Sequence, residues 1–470
     1  MEPLDWKAIE RRNRWWDAGD VPPSLPRRAA MGLSAALRRQ RFEVAPGQPR
    51  LGFALRGLRR VGKTTLMRQV AGQLLDQRLW SGDEVLLLDF ESAVFEGRRG
   101  DPSAIEAAFS MYVERLQPRR TPLLLLDEVQ VVEGWARWVR DALETGRAHI
   151  VVTGSSSRLL EPELATVLVG RMRSTTLWPM SIGETLDSAA ALGVVPVRAE
   201  TAEERCDRAL ASVIRTGGLP WIVERQLQAA RLGERRDLGQ GDEPFLRDIL
   251  ASILKDISTR HEVRHQRGLE RVVQFALQQT GCELSLNKLK TRFGIGIDQA
   301  ARYLDFADEA YLVQRLERFS VHAGERARAP TKVYAVDLGL RNAMSLHGHG
   351  DEGHLVETLV HNALRADSDA KLWSFRSRQG YECDFVRPPG ETVGLALQVC
   401  VGDELPEREV RGLQVAMEAL DLQEGVILTR HLRADQRLAD GRRLLVRPAA
   451  VWLLALEDAR RAEVAGDVRR

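Results

Sequence analysis

Lysine is nearly missing from this chain. Of 68 Lys+Arg residues, seven are lysines: Lys7, Lys63, Lys255, Lys288, Lys290, Lys332 and Lys371. The arginine excess reads as compositional bias, but Lys63 stands out by its place. An excess of one charge is also missing, with 68 basic against 66 acidic residues. Bulk charge therefore points to neither nucleic acid nor membrane. The four cysteines, Cys206, Cys282, Cys383 and Cys400, form no C-x-x-C pair. That spacing argues against a disulfide framework or zinc site and fits a reducing, cytoplasmic setting. No apolar run approaches the ~18 residues that span a bilayer, and no apolar signal core follows a basic start. No membrane partner is expected. Repeats and low-complexity tracts are absent too. What remains is a chain of 470 residues, 44% hydrophobic and 29% charged, enough for two to four globular domains.

The first informative stretch is LGFALRGLRRVGKTTLMRQV, from Leu51. An apolar strand runs into Gly57-x-x-x-x-Gly62-Lys63-Thr64 and then an amphipathic helix. Glycines at that spacing let backbone N–H groups close around phosphate oxygens, and the helix dipole adds positive potential. Gly57, Val61, Gly62, Lys63, Thr64 and Thr65 form the expected ATP cradle. Lys63 reaches the β- and γ-phosphates, and the Thr64 hydroxyl is a ligand for Mg²⁺.

A second acidic strand has to complete such a site. TPLLLLDEVQ supplies four leucines and then Asp127-Glu128. A continuous apolar run fits a central parallel strand buried on both faces. Asp127 is expected to hold the metal, and Glu128 to act as base toward the attacking water. AHIVVTGSSSRLL ends a further strand in polar groups, with Ser155 as candidate γ-phosphate sensor. This order places the serine-bearing strand between the P-loop strand and the Asp-Glu strand. Arg171 and Arg173 precede an expected last strand of the sheet. Arg171 is the candidate finger, reaching a site in cis or in a neighbouring subunit.

GLRRVGKTTL, LLLLDEVQVVEGW, VVTGSSSRLL, LVGR, WPMSIGE and RTGGLPWIV together resemble the AAA-family ATP-binding proteins of archaea and bacteria. Those proteins carry a winged helix and a C-terminal domain similar to restriction endonucleases. RNRWW near the N-terminus is similar as well. The resemblance implies an α/β fold, ATP and Mg²⁺ as cofactors, ATP hydrolysis, and no settled cellular role. A homo-oligomer is expected. The organisation read along the chain is an N-terminal helical segment over 1–45, a P-loop AAA core over 46–198, a helical lid over 199–265, a winged helix over 266–331 and a nuclease-like domain over 332–470.

In the winged-helix span, Ser285 caps a short helix, a glycine turn follows, and a second helix starts near Asp298. Lys288, Lys290, Arg292 and Arg302 are basic, whereas Asp298, Asp305, Asp308 and Glu309 make the second helix acidic. DNA and a protein partner are equally compatible with that mixture. His347-Gly-His349 with His354 reads as a loop, and His261 with His265 as a solvated helix face.

ECDFVRPPGETVGLALQVCV, from Glu382, reads as a strand, a turn and a second strand. Glu357 on a preceding helix, Asp384 and the Gln398-Val-Cys400 strand align with a metal-dependent nuclease core. An active site of that kind would have an acid and a lysine where Gln398 and Cys400 stand. The domain is therefore expected to keep the fold without cleaving DNA. The last domain has two lysines, Lys332 and Lys371, neither on that strand, and Lys371, one strand earlier, is the expected stand-in.

Overall fold

The computed structural model describes residues 4–17, 21, 24–45, 48–98, 100–154, 167–194, 200–232, 241–320, 322, 329–344, 352–367, 370–390, 393–402 and 404–469. The chain divides into two compact units, Met1–Leu177 with Val464–Arg470, and Trp178–Glu463. The fold is α/β.

The first unit is built on five parallel strands: β1 (Gly52–Arg56), β2 (Val85–Asp89), β3 (Leu123–Asp127), β4 (His149–Thr153) and β5 (Met172–Thr176). Their order is β2-β3-β4-β1-β5. β4 lies between the P-loop strand and the Asp-Glu strand, as the sequence order implied. The leucines of β3 are wholly buried because helices cover both faces of a parallel sheet. Asp89 and Asp127 are in register across β2 and β3, so both acids stand at the carboxyl edge.

β2 is an edge strand, and side chains of the N-terminal segment cover its outer edge. Asn13 Oδ1 accepts from the Leu87 amide at 2.7 Å, and its Nδ2 donates to the Leu87 carbonyl at 3.0 Å. The indole N–H groups of Trp15 and Trp16 both donate to the Val85 carbonyl. An asparagine and two tryptophans thereby satisfy backbone groups that a sixth strand would otherwise pair.

In the second unit, helices Ala202–Thr216 and Pro220–Arg231 flank the Gly-Gly-Leu break, and Glu243–Arg260 follows. Helices Gln266–Gln278, Leu286–Phe293 and Ile297–Glu309 stand with a small antiparallel sheet of β6 (Glu283–Leu284), β7 (Val313–Leu316) and β8 (Thr331–Ala335), ordered β6-β8-β7. Helix Glu352–Asp367 precedes a six-stranded mixed sheet. Its strands are β9 (Trp373–Arg376), β10 (Glu382–Arg387), β11 (Leu395–Val399), β12 (Glu424–Thr429), β13 (Ala434–Arg437) and β14 (Arg443–Pro448). The order is β13-β14-β12-β11-β10-β9. β10 and β11 pair antiparallel around the Pro388-Pro389-Gly390 turn, and β11 pairs parallel with β12. β8, expected as the start of the last domain, is hydrogen-bonded into the small sheet instead.

Candidate functional site

The P-loop joins β1 to helix Lys63–Asp76. Gly57 has φ +143°, and a Cβ there would lie 2.3 Å from the Leu177 carbonyl oxygen. Gly62 caps the helix at φ +97°. Only glycine adopts both conformations without a steric cost. The Lys63 side chain is buried, and its ammonium donates to the carbonyls of Gly57 (3.1 Å) and Leu58 (3.3 Å). Burial pushes its pKa down from the usual lysine value, against the opposing pull of Glu128 and Asp127. Val61 is buried and Thr65 lies in the first helical turn. Arg27, from the N-terminal segment, donates to the Val61 carbonyl at 2.7 Å and braces the loop from behind.

Asp127 joins the site to the sheet. One of its oxygens accepts from the Thr64 hydroxyl at 2.6 Å, the other from the Thr153 hydroxyl at the end of β4. Burial raises the Asp127 pKa, while these two hydroxyls pull it down. A hydroxyl and a carboxylate facing each other are the hard oxygen donors that suit Mg²⁺. Glu128 follows in the left-handed region, at φ 50° and ψ 45°. That bend turns its side chain back, 3.8 Å from the Lys63 ammonium. The Glu128 amide donates to the Thr153 hydroxyl at 2.9 Å, and Gln130 donates to its carboxylate at 2.6 Å.

The sequence-based site residues thus fall into two groups. Gly57, Val61, Gly62, Lys63, Thr64, Thr65, Asp127 and Glu128 come together. Arg171 does not. The Gly52 amide donates to its carbonyl, placing it at the amino edge of the sheet, opposite the P-loop. There its guanidinium pairs with Glu144 at 2.7 Å. Arg173, expected before the last strand, is part of β5. Ser155 lies outside the described residues, as do His347 and His349. Thr153 and Arg27 were missed. A polar residue closing an apolar strand was the available signal for Thr153, and no local pattern marks Arg27.

A second polar cluster lies in the other unit. The Lys332 ammonium, on β8, donates to Glu357 Oε1 and to Asp384 Oδ1, each at 2.8 Å. The Tyr334 hydroxyl donates to the same Glu357 oxygen at 2.6 Å. Asp384 Oδ2 accepts from the Val399 amide at 3.0 Å. Gln398 accepts from the Asp384 amide at 3.0 Å and donates to Glu409 at 2.5 Å. Burial, with Asp384 adding to it and Lys332 and Tyr334 opposing, raises Glu357 to about 7. The lysine at these acids is therefore Lys332 rather than Lys371, whose ammonium lies over the Trp373 ring at 5.1 Å. Sequence distance misled here, because β8 belongs to a different sheet. Glu382 turns away to Arg376 at 3.3 Å, and Cys400 lies just past β11, packed among apolar side chains.

The acids of helix Ile297–Glu309 are mostly neutralised within the fold. Asp305 and Asp308 both pair with Arg315, and buried Glu309 pairs with Arg260. Lys288, Lys290, Arg292 and Arg302 are exposed. Repulsion of phosphate from this helix is thus weaker than its composition suggested. His261 is not solvated: it stacks on Phe306 at 3.8 Å and sits 3.2 Å from Glu309. His265 lies beyond a turn, before the next helix.

Residues 50–186 match a family model described as an AAA domain, and residues 207–350 match a domain of unknown function (DUF8612). An uncharacterised Haemophilus influenzae protein is 25% identical over 75% of this chain and 82% of its own. The uncharacterised protein MJ1544 of Methanocaldococcus jannaschii is 27% identical over 78% of each. Among solved structures, Aeropyrum pernix ORC1 in complex with DNA aligns at 16% identity and a TM-score of 0.36, covering 71% of this chain and 96% of that one. Aeropyrum pernix ORC2 in its ADPNP–ADP complexes aligns at 14% identity and a TM-score of 0.37, over 75% and 98%. The AAA-domain match coincides with the sheet and the cradle, so the first unit carries a P-loop ATPase domain of the AAA class. No helix among the described residues is long and apolar enough to cross a membrane.

Proposed function

We propose that the protein hydrolyses ATP, acting as a nucleotide-dependent switch coupled to a winged helix and a catalytically silent nuclease-like domain. The observation that carries this reading is the continuous chain Thr64–Asp127–Thr153–Glu128 around the Lys63 ammonium. The backbone of Gly57–Thr65 cradles the phosphates. Lys63 donates to β- and γ-phosphate oxygens, which satisfy a buried cation better than neutral acceptors do. Thr64 and Asp127 would hold Mg²⁺, which supplies charge neutralisation on the phosphates when bound. Glu128 orients the attacking water and accepts its proton. Gln130 donates to the same carboxylate and orients it.

Arg171 cannot serve its own site from the amino edge of the sheet, so it acts on the nucleotide of a neighbouring copy. Mixing Arg171→Ala with Lys63→Ala protein should then restore part of the lost turnover, and no recovery in a demonstrated oligomer would refute the role. Helices Leu286–Phe293 and Ile297–Glu309 with the β6-β8-β7 sheet form the winged helix. Four exposed basic side chains suit modest DNA binding, with a salt slope on the order of −3 to −4. The experiment that tests the main reading is ATP binding and turnover in Lys63→Ala and Glu128→Gln. Lys63→Ala should lose binding. Glu128→Gln should keep binding and lose about 10²- to 10⁴-fold in turnover. Unchanged turnover in Glu128→Gln would remove the assigned base.

A further inference from the structure

The resemblance of the last domain to restriction endonucleases implies a divalent metal between its acids. The residues present do not fit one. The position between Glu357 and Asp384 is filled by the Lys332 ammonium, 2.8 Å from each carboxylate. That is the length of a charge-assisted hydrogen bond, whereas Mg²⁺ draws its oxygens in to ~2.1 Å. Fixed neighbours add further donors at these acids. Asp384 Oδ2 takes the Val399 amide, the Gln398 amide oxygen takes the Asp384 amide, and Glu357 Oε1 also takes the Tyr334 hydroxyl. Among the described residues no group of three or more His, Cys, Asp or Glu side chains is arranged to hold a metal ion.

Lys332 is also poorly placed to be the mobile lysine of a nuclease. It comes from β8, in the middle of the small sheet, with β6 and β7 on either side. Its side chain is only 13% exposed. A catalytic lysine must approach a scissile phosphate, and this one is held between two anions instead. The same contacts pin the small sheet to helix Glu352–Asp367 and to β10.

We infer that Lys332 is the resident cation of the Glu357–Asp384 site: it excludes divalent metal, keeps the domain from cutting phosphodiesters, and ties the small sheet to the nuclease-like sheet. The inference rests on reading the domain as nuclease-like and deepens that reading. One ammonium balances only one of two buried carboxylates. Withdrawing it leaves two acids that a divalent ion would satisfy, since a buried pair of like charges is strongly unfavourable.

The test uses full-length protein without nucleotide and titrates Mn²⁺ by electron paramagnetic resonance. Wild type and Asp384→Asn should bind the same amount of Mn²⁺. Lys332→Met should gain about one site per chain, which Lys332→Met/Asp384→Asn loses again. Lys332→Arg should behave as wild type. ATP turnover, measured on every variant, reports on the first unit, and near-ultraviolet circular dichroism on aromatic packing in both. A folded Lys332→Met protein without extra Mn²⁺ binding would overturn the inference. Asp384-dependent Mn²⁺ binding by wild type would overturn it as well, with no Lys332 variant needed. So would plasmid cleavage by wild type that Lys332→Met abolishes, because the lysine would then be catalytic. If no protein turned over ATP, the ATPase reading alone would fail, since the Mn²⁺ comparison does not use it.

Discussion

Thr153 ties together the two acids of the candidate ATP site. Its buried hydroxyl donates to Asp127 and accepts from the Glu128 amide, so one oxygen fixes the metal-side acid and the base-side backbone together. Glu128 needs that anchor because a non-glycine residue in the left-handed region is strained by about 1–2 kcal/mol. Thr153→Val keeps the shape and removes the hydroxyl. It takes one hydrogen-bond partner from the Glu128 amide and one from the Asp127 carboxylate, at a cost of about 1–3 kcal/mol. ATP turnover should fall at least ~10-fold in Thr153→Val while ATP affinity changes little, and Thr153→Ser should restore turnover. Wild-type turnover in Thr153→Val would show that Glu128 holds its position without this contact.

At the scale of elements, the N-terminal segment acts as a strand substitute. Asn13 is fully buried and uses its amide in both directions, receiving the Leu87 N–H and donating to the carbonyls of Leu87 and Ile9. Trp6 stacks on Trp16 at 5.0 Å and Trp16 on Tyr112 at 6.1 Å, which holds the segment against helix Ala104–Leu116. Asn13→Ala removes the bridge and orphans two strand-edge groups. The expected loss is about 2 kcal/mol, or roughly 4–8 °C in the melting temperature of a unit this size. Thermal unfolding followed by circular dichroism measures it. A shift under a degree would mean that the tryptophans alone keep the edge closed.

Across the whole molecule, each unit buries a neutral histidine, and these set an acid limit. His149 lies between Gln40 (2.8 Å) and Arg50 (3.3 Å), and burial, helped by Arg50 and Arg41, lowers its pKa to about 3. His361 stacks on Tyr334 at 4.2 Å, and burial likewise lowers it to about 3, with Asn362 opposing. Both folded values lie below the unfolded value near 6.5. The unfolded chain therefore binds the extra protons, and stability present above pH 6.5 drains away as pH falls toward 3. Each histidine contributes a slope of roughly 1.4 kcal/mol per pH unit once well below 6.5. Between pH 7.5 and 5 the melting temperature of wild type should drop more steeply than that of His149→Gln or His361→Gln. Parallel slopes in all three proteins would refute the assignment.

Local chemistry made the ATP site legible in the sequence. A glycine loop, a lysine and a strand ending in two acids are short-range patterns, and the order of these motifs along the chain implied the order of β1, β3 and β4. The strand–turn–strand of β10 and β11 was readable for the same reason, since period-two alternation and Pro-Pro-Gly act within a dozen residues. What only the tertiary structure decided was which charges meet. Lys332 reaches Asp384 across 52 positions, and Arg315 neutralises an acidic helix from a later strand. Arg27 braces the P-loop from a segment with no motif. Hydrogen bonds and ion pairs act over a few ångströms of space regardless of separation along the chain. The sequence therefore specifies such partners only through the packing that brings them together.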